Sequence, residues 1–336
     1  MLRILMLAHN AAAITAEAVD AALAQLPDGG RLLLLDNGSE PAQAALLAQL
    51  PTPARPGLDL LHSVRNLGYA GGMNLLLERA LAGPGVDAVL LLNNDALLQP
   101  GAVPALLDAL GEAGGSALVG ARMMQWRDPA AVDSLGIALY RSGIASNRTG
   151  TQQRLLGPTG GCMLIGRRVL EDLRDSHGGW FDDDFFCYAE DTDLVLRARW
   201  LGHGVALAER ALVLHHGSLS SGGADNEFVL YHGIRNSIWA LAKNAPGTWL
   251  LAFSPWIVVA HGGVVLRNLR KGRWRTLGRL YRDALAGLPA MWRKRRRIRA
   301  SRRLPAAAWW SWVEPRLYDP GFLRAAWREL IAGRRR

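Results

Sequence analysis

The chain has 336 residues, half of them hydrophobic, enough for one large α/β domain with an appendage or for two modest domains. Its two cysteines, Cys162 and Cys187, lie far apart in the sequence, which excludes a disulfide framework or a cysteine-based zinc site and fits a reducing cytoplasm. The net charge of +10 is split unevenly: residues 267–336 carry 21 Lys and Arg against 4 Asp and Glu, and residues 1–266 carry 18 against 25.

An acidic body with a strongly basic tail makes nucleic acid and an anionic membrane the candidate partners of that tail. Residues 2–8 (LRILMLA) predict a strand, and His9-Asn10 ends it too early for a secretory signal. A helix is expected from Thr15 to Leu26. Residues 31–35 predict a second strand that runs into Asp36-Asn37-Gly38-Ser39. A third apolar run, Leu58 to Leu61, leads to Arg65-Asn66-Leu67-Gly68-Tyr69-Ala70-Gly71-Gly72-Met73-Asn74 and a helix to about Leu81. A fourth, Ala88 to Leu92, ends in Asn93-Asn94-Asp95, and a helix follows from Val103 to Leu110. Continuous apolar strands alternating with helices predict a parallel sheet covered on both faces. Ligands gather at the carboxyl ends of such strands, where Asp36, Asn66 and Asp95 all fall.

Gly68, Gly71 and Gly72 precede a helix. They suit a backbone that approaches phosphate oxygens, or simply a tight turn. The stretch is not a Walker pattern, because no Lys-Ser/Thr follows, and it does not follow the first strand as a Rossmann fingerprint does. Asp95 beside two amides suits a hard divalent cation bridging phosphate oxygens; a turn or helix cap is the other reading.

From Gly179 onward an aromatic run, Trp180 to Tyr188, carries Asp182, Asp183 and Asp184 and leads into Glu190-Asp191-x-Asp193. Leu194, Leu196, Arg197, Trp200 and Leu201 then follow at helical spacing. Carboxylates in a first turn favour the positive end of a helix. Beside large apolar side chains, Glu190 and Asp191 also suit a desolvated general base. His215 and His216 end the apolar run after that helix, so capping, acid–base chemistry and metal binding all stay open on this pattern.

No charged residue separates Lys243 from Arg267. That length can span a bilayer, but Pro255, His261 and Gly262-Gly263 weaken a spanning helix. Basic flanks favour a segment lying in the cytoplasmic leaflet, with Trp249, Trp256, Trp274, Trp292, Trp309, Trp310 and Trp312 at the headgroup level. The competing arrangement is a buried helical hairpin with a solvated basic face.

Taken in order, Asp36-Asn37-Gly38-Ser39, Asn66-x-Gly68-Tyr69-Ala70-Gly71-Gly72-x-Asn74, Leu92-Asn93-Asn94-Asp95, Gly160-Gly161-Cys162-Met163-Leu164, the Phe181 to Leu194 acidic block and His215-x-x-Ser218-x-Ser220 resemble the family 2 glycosyltransferases, in their bacterial rhamnosyltransferase-like branch. The resemblance covers about residues 2–245. It implies an α/β GT-A fold, a Rossmann-like and mainly parallel sheet flanked by helices. Residues 1–115 would form the nucleotide-binding half and 116–245 the acceptor half, with a helical membrane-associating extension over 246–336.

The activity implied is inverting transfer of a sugar from a nucleotide-sugar, of the dTDP-rhamnose or UDP-hexose type. The acceptor would be lipid-linked or a polysaccharide, in cell-envelope glycan synthesis at the cytoplasmic face of a bacterial inner membrane. The partners implied are the donor, the acceptor and an anionic membrane surface, without nucleic acid. Asp191 becomes the base and Glu190 its neighbour holding hydroxyls. Asn10, Asp36, Asn37, Arg65, Asn66, Gly68, Gly71, Gly72, Asn74, Asn93, Asn94 and Arg235 fall to the donor, and Asp95 with His215 to Mg2+ or Mn2+. The chain departs from the pattern at Ala8-His9-Asn10, where the family favours Thr-Tyr-Asn, and at Asn93, which opens the motif usually begun by Asp. Two other functions are weighed against this one. A nucleotidyltransferase would release pyrophosphate, and a basic-tail adaptor would make no demand on Asp95 or Asp191.

Overall fold

The computed structural model describes residues 1–217 and 226–319. In chain order the elements are β1 (Leu2–Ala8), α1 (Ala12–Leu23), β2 (Arg31–Asn37), α2 (Pro41–Leu47), β3 (Leu58–Ser63), α3 (Gly68–Leu81), β4 (Ala88–Asn93), β5 (Ala96–Leu98), α4 (Ala102–Glu112), β6 (Ala117–Gln125), β7 (Val132–Ser134), β8 (Ile137–Tyr140) and β9 (Ala145–Asn147). They continue with β10 (Cys162–Gly166), α5 (Arg167–His177), α6 (Glu190–Trp200), β11 (Gly204–His215), α7 (Glu227–Asn244), α8 (Gly247–Arg270), α9 (Trp274–Ser301), α10 (Trp309–Trp312) and β12 (Val313–Glu314).

The main sheet runs β3-β2-β1-β4-β10-β6-β11-β5, with β7 on the side of β6. The first four strands are parallel, as their continuous apolar runs predict. In β2 the side chains alternate between two cores: Leu33 and Leu35 join one, Leu32 and Leu34 the other. Helices α3, α5 and α6 cover the first face, and α1, α2 and α4 the second. The sheet is mixed, because β10 inserts antiparallel between β4 and β6 and β5 closes antiparallel on β11. The first helix begins at Ala12, three residues before its expected start, because Asn10 and Ala11 take left-handed backbone that turns the chain straight off β1.

Beyond residue 245 the chain does two different things. Helix α9 packs along α7 and buries Leu277, Leu280, Ala284, Met291 and Ile298, while β12 pairs with β8. Trp309 and Trp312 enter the core, where Trp309 stacks on Trp200 at 6.0 Å and Trp249 meets Trp309 edge-on. Trp249, Trp309 and Trp312 are therefore core residues, contrary to the headgroup placement expected of them. Trp256, Trp274, Trp292 and Trp310 remain exposed. Only α8 stands off, with Leu251, Val258 and Val259 each more than three-fifths exposed.

These contacts make the C-terminal elements part of the folding unit. Removing residues 246–336 is expected to abolish cooperative unfolding, and Trp309→Ala alone to cost about 3–5 kcal/mol, read from urea denaturation. A truncated protein that melts as cooperatively as the full chain would contradict this packing.

Candidate active site

The carboxyl edge of the sheet is built first from β2 and the β3–α3 connection. Asp36 is buried at the end of β2, where one carboxylate oxygen accepts from the Ser39 backbone N–H at 3.0 Å and the other lies 2.8 Å from His62 Nδ1. Asn37 donates to Asn66 Oδ1 and to the Gly68 carbonyl, and accepts from the Leu67 N–H. Asn66 in turn accepts from the Gly68 N–H. Two amides thus latch the glycine turn in place. Gly68 has φ +71°, and a Cβ there would stand 2.5 Å from the Phe186 carbonyl oxygen. At Gly72 a Cβ would meet Leu7 at 2.1 Å, so this glycine lets α3 lie directly on β1. The glycine turn is first a device for close layering of β1, α3 and the loop at Phe186.

The remaining residues expected to hold the donor are placed unevenly. Asn10 caps its neighbourhood, accepting from the Glu40 N–H at 2.9 Å. Asn74 is taken up by Phe181 and Asp183, and Asn94 by Thr15. Arg65 is exposed at the rim. Arg235 lies beneath the loop that precedes Glu190 and Asp191: it donates to the carbonyls of Asp184 and Phe185 and its guanidinium sits 4.2 Å above the Trp239 ring. Ser218 and Ser220 lie outside the described residues.

Asp95 and His215 are brought together by strand register. The antiparallel pairing of β5 with β11 sets His215 opposite Ala96, and the Asp95 carbonyl accepts from the His216 N–H at 3.0 Å. His215 Nε2 lies 3.2 Å from Asp95 Oδ1, while Nδ1 meets Asp133 at 2.9 Å. Burial lowers the imidazole pKa, but the two carboxylates outweigh it and carry it up to about 9. Nε2 is buried without a directed hydrogen bond. Once a cation displaces its Nε2 proton, a histidine fixed through Nδ1 by a carboxylate, with Nε2 beside a second carboxylate, fits a cation ligand pair. No group of three or more His, Cys, Asp or Glu side chains suited to a metal occurs among the described residues. Such a pair would leave further positions to diphosphate oxygens and water. Asp133 carries no sequence signal, since its role comes only from β7 folding back onto β6.

Glu190 and Asp191 open α6 after an unusual loop. Phe186, Tyr188 and Ala189 all have φ between +62° and +67°. Left-handed backbone at non-glycine residues costs about 1–3 kcal/mol each and persists only when its surroundings over-determine it. Here the Asn236 amide lies 2.8 Å from the carbonyls of Phe185, Cys187 and Tyr188. Underneath, Asp193 is fully buried and accepts from Arg197, Lys243 and Asn244. Burial pushes its pKa up, but the charges of Lys243 and Arg197 hold it well below the usual carboxylate range. Lys243 also pairs with Asp182, which Lys294 of α9 reaches from the other side.

Above that base, Asp191 accepts from the Gly160 N–H at 3.0 Å and the Thr192 N–H at 2.6 Å. Burial raises its pKa, and these hydrogen bonds bring it only part of the way back. Glu190 is pushed well above its ordinary range, by burial first and by Asp191 second, and one of its oxygens has no partner. Asp191 is thus poised as a base, and Glu190 favours its neutral, proton-bearing form. The Gly160-Gly161 pair joins the two halves: Gly160 binds Asp191 and accepts from Tyr69 Oη at 2.7 Å, and Gly161 accepts from the Asn93 N–H at 3.0 Å.

Residues 3–174 match the family described as Glycosyl transferase family 2. The chain is similar to an N-acetylglucosaminyl-diphospho-decaprenol L-rhamnosyltransferase of Mycobacterium tuberculosis (strain H37Rv), 29% identical over 286 residues, covering 73% of this chain and 87% of that one. Among solved structures it resembles mannosyltransferase PcManGT from Pyrobaculum calidifontis, with TM-score 0.55, 14% identity and coverage of 89% and 85%. It also resembles S. aureus TarS 1-349, with TM-score 0.54, 12% identity and coverage of 92% and 91%. GalNAc-T7 superposes with TM-score 0.60 at 11% identity, covering 79% of this chain, which spans about half (51%) of that longer protein. The chain belongs to glycosyl transferase family 2 and is a glycosyltransferase of GT-A fold.

Proposed function

We propose that the protein is an inverting glycosyltransferase that moves a sugar from a nucleoside-diphosphate sugar to a lipid-linked acceptor, at the cytoplasmic face of a bacterial inner membrane, for cell-envelope glycan synthesis. The observation that carries this reading is the Gly160-Gly161 link, which sets a raised-pKa carboxylate one dipeptide away from the strand end bearing Asn93-Asn94-Asp95. The name of the M. tuberculosis relative supports an L-rhamnosyl donor and a polyprenyl-diphosphate acceptor.

Asp95 and His215 are the residues to hold a divalent cation, Mg2+ or Mn2+; two structural neighbours contain Mn2+. Such an ion would neutralise charge on the departing diphosphate without proton transfer. Asp36, with His62 against it, and the rim residue Arg65 face the nucleoside end of the donor. Asp191 takes the proton of the acceptor hydroxyl as its oxygen attacks the anomeric carbon opposite the diphosphate. The bond from that carbon to the diphosphate oxygen breaks, and configuration inverts. Neutral Glu190 donates a hydrogen bond to acceptor or sugar oxygens. The apolar helix α8, 24 residues with mean hydropathy 1.7 over its most apolar window, lies in the leaflet and brings the acceptor's lipid to this edge.

Asp191→Asn is expected to lower kcat by about 100-fold or more while donor affinity stays within about twofold. Because the pKa of Asp191 is raised, the wild-type rate should climb as pH rises through that ionisation and then level off. A variant that keeps most of the wild-type kcat, or a rate flat with pH, would assign the base elsewhere.

Asp95→Ala is expected to weaken donor binding at least tenfold in Mn2+ buffer, and chelator should do the same to the unaltered protein. Calorimetric titration of the donor measures both. Donor binding and turnover indifferent to EDTA would remove the cation from the reading.

A further inference from the structure

The basic end of α9 does something that the sugar-transfer site does not use. A recess of about 310 Å3 lies at the far end of α6, between Trp200, the first turn of α8 and the last turns of α9. From the last turns of α9 come Arg295 and Arg299, spaced i and i+4 on one face, and Arg302 joins them from the extended residue that caps the helix. Among the described residues, no Asp or Glu lines the recess. Arg302 is stacked on Trp200 at 5.0 Å, and Arg295 is steadied by the Ala242 carbonyl at 3.0 Å. Opposite them is the amino end of the 24-residue helix α8, whose first turn has no side-chain cap and no acidic residue. Gly247 and Thr248, in the first turn whose N–H groups have no partner within the helix, line the same recess.

Three guanidinium groups facing the positive end of a long helix repel one another unless an anion lies between them. The pKa of Arg295 is held below its ordinary value, by burial first and then by Arg299 and the neighbouring Arg302. Planar guanidinium forks and helix N–H groups both suit the tetrahedral oxygens of a phosphate. An 11-residue helix separates this recess from Glu190 and Asp191, about 15 Å at 1.5 Å per residue.

We infer that the Arg295–Arg299–Arg302 recess is a second, non-catalytic anion site that binds a phosphate group. The ligand class is a phosphate monoester or diester, and the adjoining exposed apolar surface of α8 favours one carried on a lipid at the membrane surface. The inference uses the membrane reading of α8 only for the source of that phosphate. The site thus gives the protein a preference for anionic lipid that an apolar helix lacks by itself.

The test uses full-length protein and two probes: inorganic phosphate followed by thermal shift, and phosphatidylcholine vesicles with or without phosphatidylglycerol followed by cosedimentation. Arg299→Gln/Arg302→Gln is compared with Arg293→Gln/Arg296→Gln, which removes the same charge from exposed positions of α9 outside the recess. The expected result is a gain in binding of about tenfold or more on adding phosphatidylglycerol, lost in the first variant and kept in the second. Binding to phosphatidylcholine alone should be the same in both, and its complete absence in all proteins would instead overturn the membrane reading of α8. A phosphate-dependent shift lost only in the first variant, without the lipid effect, assigns the site to a soluble phosphate. If the two variants match each other with both probes, the recess is an ordinary solvated basic face and the inference falls. Should Arg302→Gln unfold through loss of its Trp200 contact, Arg299→Gln alone repeats the comparison from an exposed position.

Discussion

The buried charge of Asp193 is the constraint on which the working edge of this protein depends. A carboxylate with no solvent contact is tolerated only when paired and hydrogen-bonded. Its partners come from its own helix (Arg197) and from the end of α7 (Lys243 and Asn244). Lys243 then reaches Asp182, and α9 reaches the same carboxylate through Lys294. One ion network therefore clamps the start of α6 between two C-terminal helices. On that clamp rests a loop with three non-glycine residues in left-handed backbone, and directly after the loop stand Glu190 and Asp191. The strain before Glu190 and Asp191 is held by contacts whose own role is mechanical.

Asp182, Asp184 and Asp193 thus sit close in sequence to Glu190 and Asp191 and have a different task. Pairing holds Asp182 and Asp193 below the usual carboxylate range, although burial acts the other way on both. Burial without a cationic partner drives Glu190 and Asp191 upward. The difference between anchor and base lies in what α7 and α9 bring to each.

Strand ends were legible because an apolar run followed by Asp or Asn marks the carboxyl edge of a parallel sheet, and Asp36 and Asp95 sit where that pattern puts them. The position of Glu190 and Asp191 was legible as carboxylates at a helix start flanked by aromatics. Other features depend on distant pairing and left no local mark. Asp133 meets His215 only because β7 folds onto β6, and the antiparallel β10 reads like any other apolar run. Arg235, assigned to the donor by resemblance, and its neighbour Asn236 also bond to backbone carbonyls of a loop some fifty residues earlier, a pairing with no local mark. Trp309 and Trp312 were ambiguous for a physical reason: an indole suits a membrane headgroup and a protein core equally. The glycines at Gly68 and Gly72 left a phosphate approach and a plain tight turn both open, and the structure adds a close-packing role that no local pattern showed.

Central to this structure is the loop held by α7, which positions Asp191, the residue proposed as the base. Donor affinity, kcat and the pH–rate profile of Asn236→Ala test that positioning most directly. The predicted result is a large fall in kcat and an altered apparent pKa of the rate, with donor affinity changing far less than kcat and a lowered melting temperature, because three carbonyls lose their amide donor. A variant with kcat and pH profile unchanged, or one whose donor affinity falls in step with kcat, would contradict it.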